Sequence, residues 1–150
     1  MSTYLSSSLA ATEKFARGLA EKISGKKPGK KAVIVALAGE LGAGKTAFAK
    51  GFASGLGVNG RIFSPTFILM RKAGVKNKKF RDFFHIDAYR ATDKNFLKLG
   101  IREIAEDPRN IILIEWADKL KRILPKSAIW IKFEHGKGEN ERIVTVNKEL

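Results

Sequence analysis

The chain has no cysteine, so disulfides and thiolate metal sites are excluded. Two histidines also argue against a His-based zinc centre. No apolar run approaches the roughly 20 residues that a membrane-spanning helix needs. Residues 1–8 have neither the basic start nor the apolar centre of a secretory signal. These absences predict a cytoplasmic chain with no membrane partner. Acids are scarce: 15 Asp and Glu stand against 29 Lys and Arg, a formal net charge of +14. Such an excess of base marks either a polyanionic partner such as RNA or a surface that is simply rich in lysine. The charge is uneven. Residues 22–31 hold five lysines and no acid (Lys22, Lys26, Lys27, Lys30, Lys31), and residues 71–81 hold Arg71, Lys72, Lys76, Lys78, Lys79 and Arg81 with no acid. Both runs read as loops, forming one patch or two solvated turns. No aromatic residue interleaves with the first run, which argues against a base-stacking platform.

The strongest signal present is Gly39-Glu40-Leu41-Gly42-Ala43-Gly44-Lys45-Thr46, the phosphate-loop pattern of Gly, four residues, then Gly-Lys-Ser/Thr. The context suits it. A continuous apolar stretch at 32–38 reads as a buried strand, and residues 47–56 read as a helix ending near Gly57. Glycines let the backbone curl until successive N–H groups form an anion nest. The following helix adds about half a positive charge at its N-terminus. Lys45 is placed to reach the outer phosphates and the Thr46 hydroxyl to bind Mg²⁺. The candidate nucleotide-binding residues are Glu40, Leu41, Gly42, Ala43, Gly44, Lys45, Thr46 and Ala47.

At 150 residues the chain is expected to be one domain with a single good core. Ser8 is placed to cap a helix over 9–23. Pro28 and Gly29 mark a turn, and so does Asn59-Gly60. A strand is expected after Pro65, then a basic hairpin turn from Ala73-Gly74 to Lys79, then a strand over 80–86. Two short helices follow, the first capped by Thr92 or Asp93 and the second over 101–106. A buried strand at 110–115, a short helix at 117–122 and two alternating strands at 128–135 and 142–147 close the chain. This order predicts an α/β, P-loop NTPase-like three-layer fold, its parallel central sheet flanked by antiparallel strands. The strands near 32–38 and 111–115 should be neighbours or near-neighbours, their C-terminal ends facing the nucleotide.

Magnesium must be held and an attacking water oriented for hydrolysis. Two acids follow strands in suitable places. Glu115 ends Ile111-Ile112-Leu113-Ile114, and Asp87 follows Phe83-Phe84-His85-Ile86. Either can serve Mg²⁺ while the other positions water. His85 reads as a packed or hydrogen-bonded histidine. Ser64-Pro65-Thr66 lies where a γ-phosphate switch would sit, but from the residues alone it reads rather as a strand-entry turn.

The phosphate loop, Ser64-Pro65-Thr66-Phe67, His85-Ile86-Asp87-Ala88-Tyr89-Arg90, Gly100-Ile101-Arg102-Glu103 and Ile114-Glu115-Trp116-Ala117-Asp118 together resemble the TsaE (YjeE) family, small bacterial P-loop ATPases of tRNA threonylcarbamoyladenosine modification. Order and spacing agree over residues 12–133. The resemblance implies slow ATP hydrolysis with Mg²⁺, Lys45 on phosphates, and Thr46 and Asp87 serving the metal; Glu115 stays a candidate metal ligand on its position after the strand alone. It also implies that Glu115 activates or orients water, and that Ser64 and Thr66 belong to the switch. It implies docking on a TsaD–TsaB pair, which carries out the threonylcarbamoyl transfer itself. Arg71–Arg81 is more lysine-rich than the resemblance leads one to expect, so direct tRNA contact through the basic loops is a further candidate. The alternatives are a small nucleoside or metabolite kinase, for which a chain this size offers little room for an acceptor pocket, and a basic RNA-binding module that responds to ATP.

Overall fold

The structure, a computed structural model, describes residues 1–40, 42, 44–58 and 70–150. Leu41, Ala43, the turn at Asn59-Gly60, the Ser64-Pro65-Thr66 segment and residues 67–69 of the strand expected after Pro65 lie outside the described residues. The elements are β1 (Ser2–Ser6), α1 (Leu9–Ser24), β2 (Val33–Gly39), α2 (Lys45–Gly55), β3 (Met70–Gly74), β4 (Asp82–Asp87), α3 (Asp93–Leu97), α4 (Ile101–Glu106), β5 (Asn110–Glu115), a 3₁₀ turn (Ala117–Leu120), β6 (Ile129–His135) and β7 (Arg142–Val146).

Seven strands form one sheet in the order β1-β7-β6-β2-β5-β4-β3. The centre is parallel: β2 pairs with β5 and β6, and β5 pairs with β4. Antiparallel pairs close both sides, β3 on β4 and then β7 on β6 and β1 on β7. The expected fold class and the expected β2–β5 adjacency both hold. Central strands buried on two faces need apolar residues at every position, and every residue of β5 is buried. Val35, Leu37, Ile111 and Leu113 face α1 and α2. Ile34, Ala36, Ile112 and Ile114 face Phe96, Ile101 and Leu120 on the other side. The result is three layers, helix, sheet, helix.

Ser8 caps α1, its hydroxyl accepting from the Ala11 N–H at 3.0 Å. The segment expected to be helical at 117–122 forms a single 3₁₀ turn, and the strand before the basic hairpin runs on to Gly74. β1 is the element with no sequence forecast. Its residues are Ser-Thr-Tyr-Leu-Ser, mostly exposed, so little apolar alternation announces it. It forms because β7 offers a free edge and because Tyr4 stacks on Phe15 of α1, ring centroids 4.6 Å apart at 11°.

Two glycines inside α2 set how closely it lies against α1. A Cβ on Gly51 would fall 2.2 Å from the Glu13 carbonyl oxygen, and one on Gly55 would fall 2.5 Å from that of Arg17. On an open helix Gly→Ala would stabilise by about 0.5–1 kcal/mol. Here backbone blocks the methyl, so Gly51→Ala should lower stability by about 1–3 kcal/mol in a urea melt. Equal or greater stability would contradict this packing.

Candidate nucleotide site

β2, β5 and β4 end at the same sheet edge. In register, Ala36 lies beside Ile114, and Glu115 beside Asp87. The loop leaves β2 at Gly39, whose φ is 143°. A Cβ there would stand 2.6 Å from the Phe133 carbonyl oxygen of β6, so only glycine fits. Gly42 and Gly44 have φ of 76° and 101°, left-handed values that glycine adopts without strain. Gly44 begins α2, and no side chain caps that helix. Its first N–H groups have no intrahelical acceptor and, among the described residues, no side-chain cap, which suits them to an anion.

Lys45 is buried, 5% exposed. Its ammonium donates to the Gly39 carbonyl and, at 3.1 Å, to the Glu40 carbonyl, and it sits 3.6 Å above the Trp116 ring centroid. Trp116 is the one described non-glycine residue with positive φ, 59°, and its ring packs 4.9 Å from that of Tyr89. Burial pushes the Lys45 ammonium below the ordinary lysine value, while the carboxylates of Asp118, Glu115, Asp87 and Glu40 pull it back up.

The acids are differently engaged. Glu115 Oε2 and His85 Nε2 share a 2.6 Å hydrogen bond, both side chains buried, as the reading of His85 as a hydrogen-bonded histidine expects. His85 Nδ1 is buried and has no hydrogen-bond partner among the described residues. Asp87 accepts from the Tyr89 N–H at 2.9 Å, and the Ala88 N–H donates to the Glu115 carbonyl at 2.9 Å, locking the ends of β4 and β5 together. Thr46 is exposed beside the loop. Among the described residues no three His, Asp or Glu form a ready metal cluster. Magnesium at a phosphate site needs only one or two carboxylates, with phosphate oxygens and water completing its shell. Thr46, Asp87 and Glu115 are oxygen donors of that kind, and the residues present fit the ion.

Two features carried no clear signal in the sequence. Arg142, at the start of β7, donates to the Gly42 carbonyl at 3.2 Å and to the Glu139 and Glu141 carbonyls. The C-terminal strand thus braces the phosphate loop, a contact across a hundred residues that no local pattern announces. The second is a cleft of about 1010 Å³ beside the loop, lined among others by Glu40, Trp116, Asp118, Trp130 and Lys132. It lies against the loop itself, at Ala38, Gly39 and Glu40.

A glycine loop between a central parallel strand and a helix, with a buried lysine at its end and acids on neighbouring strand ends, is the arrangement of P-loop NTPase-like proteins. The profile described as Threonylcarbamoyl adenosine biosynthesis protein TsaE matches residues 6–144, and the chain belongs to the TsaE family. Relatives named tRNA threonylcarbamoyladenosine biosynthesis protein TsaE include one from Haemophilus influenzae, 37% identical over 70% of this chain and 65% of that protein. One from Bacillus subtilis is 36% identical over 75% of this chain and 67% of that protein. The matches thus span about two thirds of the length of these relatives. The crystal structure of Bacillus subtilis YdiB superposes with a TM-score of 0.73 at 28% identity, over 97% of this chain and 83% of that one.

The burial of Lys45 has a consequence for stability. A folded pKa below the ordinary 10.5 means that the unfolded chain binds more protons in the interval between the two values. The contribution of this group to stability therefore rises with pH across that interval. The unfolding free energy of wild type relative to Lys45→Met should climb as the pH is raised from neutral toward 10.5 in a series of urea melts. A pH-independent difference would contradict a desolvated ammonium.

Proposed function

We propose that the chain is one P-loop ATPase domain over residues 1–150. In this reading it hydrolyses ATP with Mg²⁺ in the cytoplasm, as the accessory subunit of tRNA threonylcarbamoyladenosine modification, docked on a TsaD–TsaB complex whose turnover it supports. The observation that carries this reading is the Lys45 ammonium, buried at the loop and facing the edge where Asp87 and Glu115 end their strands. The backbone of residues 40–47 and Lys45 would hold the phosphates, with Ser64 and Thr66 as the nucleotide-sensing switch. Thr46 and Asp87 would hold the metal, and Glu115 would orient the attacking water or complete the metal shell. Bound there, Mg²⁺ supplies neutralisation of the charge that develops on the phosphate oxygens. His85 fixes the Glu115 carboxylate through their 2.6 Å hydrogen bond.

Partner dependence follows from the chemistry. Small P-loop hydrolases that lack a supplied arginine turn over at about 10⁻⁴ to 10⁻² per second, and a docked complex is a natural source of acceleration. The cleft beside Glu40 and Trp116 favours a second reading, a kinase with an acceptor in that space.

Turnover measured with and without TsaD and TsaB homologues separates the two. The ATPase reading predicts acceleration by the proteins and none by added nucleosides or sugars. Lys45→Ala should abolish turnover. Glu115→Gln should still bind ATP while hydrolysing it about 100-fold more slowly or worse. Turnover that ignores the proteins but follows a small acceptor would establish the kinase instead.

A further inference from the structure

The two lysine-rich segments of the sequence meet in space. α1 ends at Ser24, and the loop of residues 75–81 closes against that end. The Asn77 side chain donates to the Ser24 carbonyl at 3.1 Å, and the Lys79 ammonium donates to the Gly25 carbonyl at 2.8 Å. Asn77 Oδ1 accepts from the N–H of Lys79 at 2.6 Å and of Phe80 at 3.2 Å, which gives the loop a defined shape. Val75 packs on the core beneath α1 and α2. Lys22, Lys26, Lys27, Lys76, Lys78 and Lys79 are all exposed, and none makes an ion pair among the described residues.

The neighbouring acids are already engaged. Glu106 pairs with Lys31, Asp82 with Lys72 and Arg81, and Asp107 with Arg81 and Arg109. Glu21, next to Lys22 in sequence, is the exception. The surface therefore carries a concentrated, uncompensated positive charge. It also lies at the wrong end of the molecule to serve the nucleotide. β2, β4 and β5 begin at this pole and end at the phosphate loop, and seven residues of β2 span about 20 Å.

We propose that this joined surface binds the phosphate backbone of RNA, at the pole opposite the phosphate loop. The choice of RNA among polyanions rests on the proposed role in tRNA modification. Among the described residues, the large exposed apolar ones are Met1, Leu5, Leu9 and Tyr89. None of these belongs to this surface, so its described part offers no apolar side chain to insert into a lipid layer. The one aromatic residue of the two lysine-rich runs, Phe80, is buried, so these runs offer bases no ring to stack on. Recognition is of phosphates, independent of sequence and strongly dependent on salt. The separation leaves the nucleotide pole clear for a protein partner while RNA is held.

The test is a titration of an unmodified tRNA transcript at several NaCl concentrations. Wild type should bind with a steep salt dependence. The combined variant Lys26→Glu, Lys27→Glu, Lys76→Glu, Lys78→Glu should bind at least about tenfold more weakly, with a salt slope shallower by about one for each phosphate contact removed. Its affinity for ADP should be unchanged, which also verifies folding. Charge reversal at Lys94 and Lys98, exposed on the other helical layer, should leave tRNA affinity as it was. Absence of binding by wild type, wild-type affinity in the fourfold variant, or equal weakening by the Lys94/Lys98 control would each overturn the proposal. So would loss of binding to phosphatidylserine vesicles with tRNA affinity untouched, which would assign the surface to a membrane. A wild type that binds tRNA as expected but turns over no ATP would sink the ATPase reading alone.

Discussion

Parallel pairing of β5 between β2 and β4 is the constraint on which the candidate site depends. Side chains alternate faces along a strand, so a register slip of one residue would turn each of them to the opposite layer. The observed register sets Glu115 beside Asp87 and leaves β2 to run on to Gly39. Hydrophobic burial on both faces enforces it, since Ile112 and Ile114 belong to one layer and Ile111 and Leu113 to the other. The geometry of the candidate site is here a by-product of core packing. The Ala88 N–H bonded to the Glu115 carbonyl continues the ladder past the last paired residues and brings both acids to one edge.

A second constraint is electrostatic. Lys45 is drawn into a buried position by two carbonyls and an indole face, and four carboxylates surround it at longer range. None of these carboxylates forms a salt bridge with it among the described residues. The ammonium thus keeps its charge unneutralised by a direct partner, a state suited to exchanging weak neutral acceptors for an anion. Trp116 reaches its place over the ammonium by adopting a left-handed backbone conformation, strain of the kind that collects at functional sites.

How far the sequence foretold this varies with how local the cause is. The phosphate loop, the β5 strand with its terminal Glu115 and the Ser8 cap are written in short contiguous patterns, and each appears where the pattern puts it. The bond between His85 and Glu115 joins residues 30 apart and was foreseen only as a general tendency of buried histidines. Arg142 on the Gly42 carbonyl, and Gly51 and Gly55 against the backbone of α1, depend on how distant elements dock, which no periodicity encodes. β1 escaped notice because an edge strand drawn in by a neighbour's free hydrogen-bonding groups needs little apolar alternation of its own. The two lysine runs were plain as composition. That they form one surface is a consequence of Asn77 bridging to the end of α1.

The molecule therefore has two distinct poles on one sheet, a glycine loop with neighbouring acids where the parallel strands end and a lysine surface where they begin. The curled loop and Lys45 are proposed to grip a nucleotide triphosphate. A crystal structure with Mg²⁺ and a non-hydrolysable ATP analogue tests it most directly. The triphosphate should lie threaded along residues 39–46, with the Lys45 ammonium moved from the Gly39 and Glu40 carbonyls onto phosphate oxygens and the metal beside Thr46 and Asp87. An analogue seated elsewhere, or a Lys45 still bonded to those carbonyls beside it, would contradict the account.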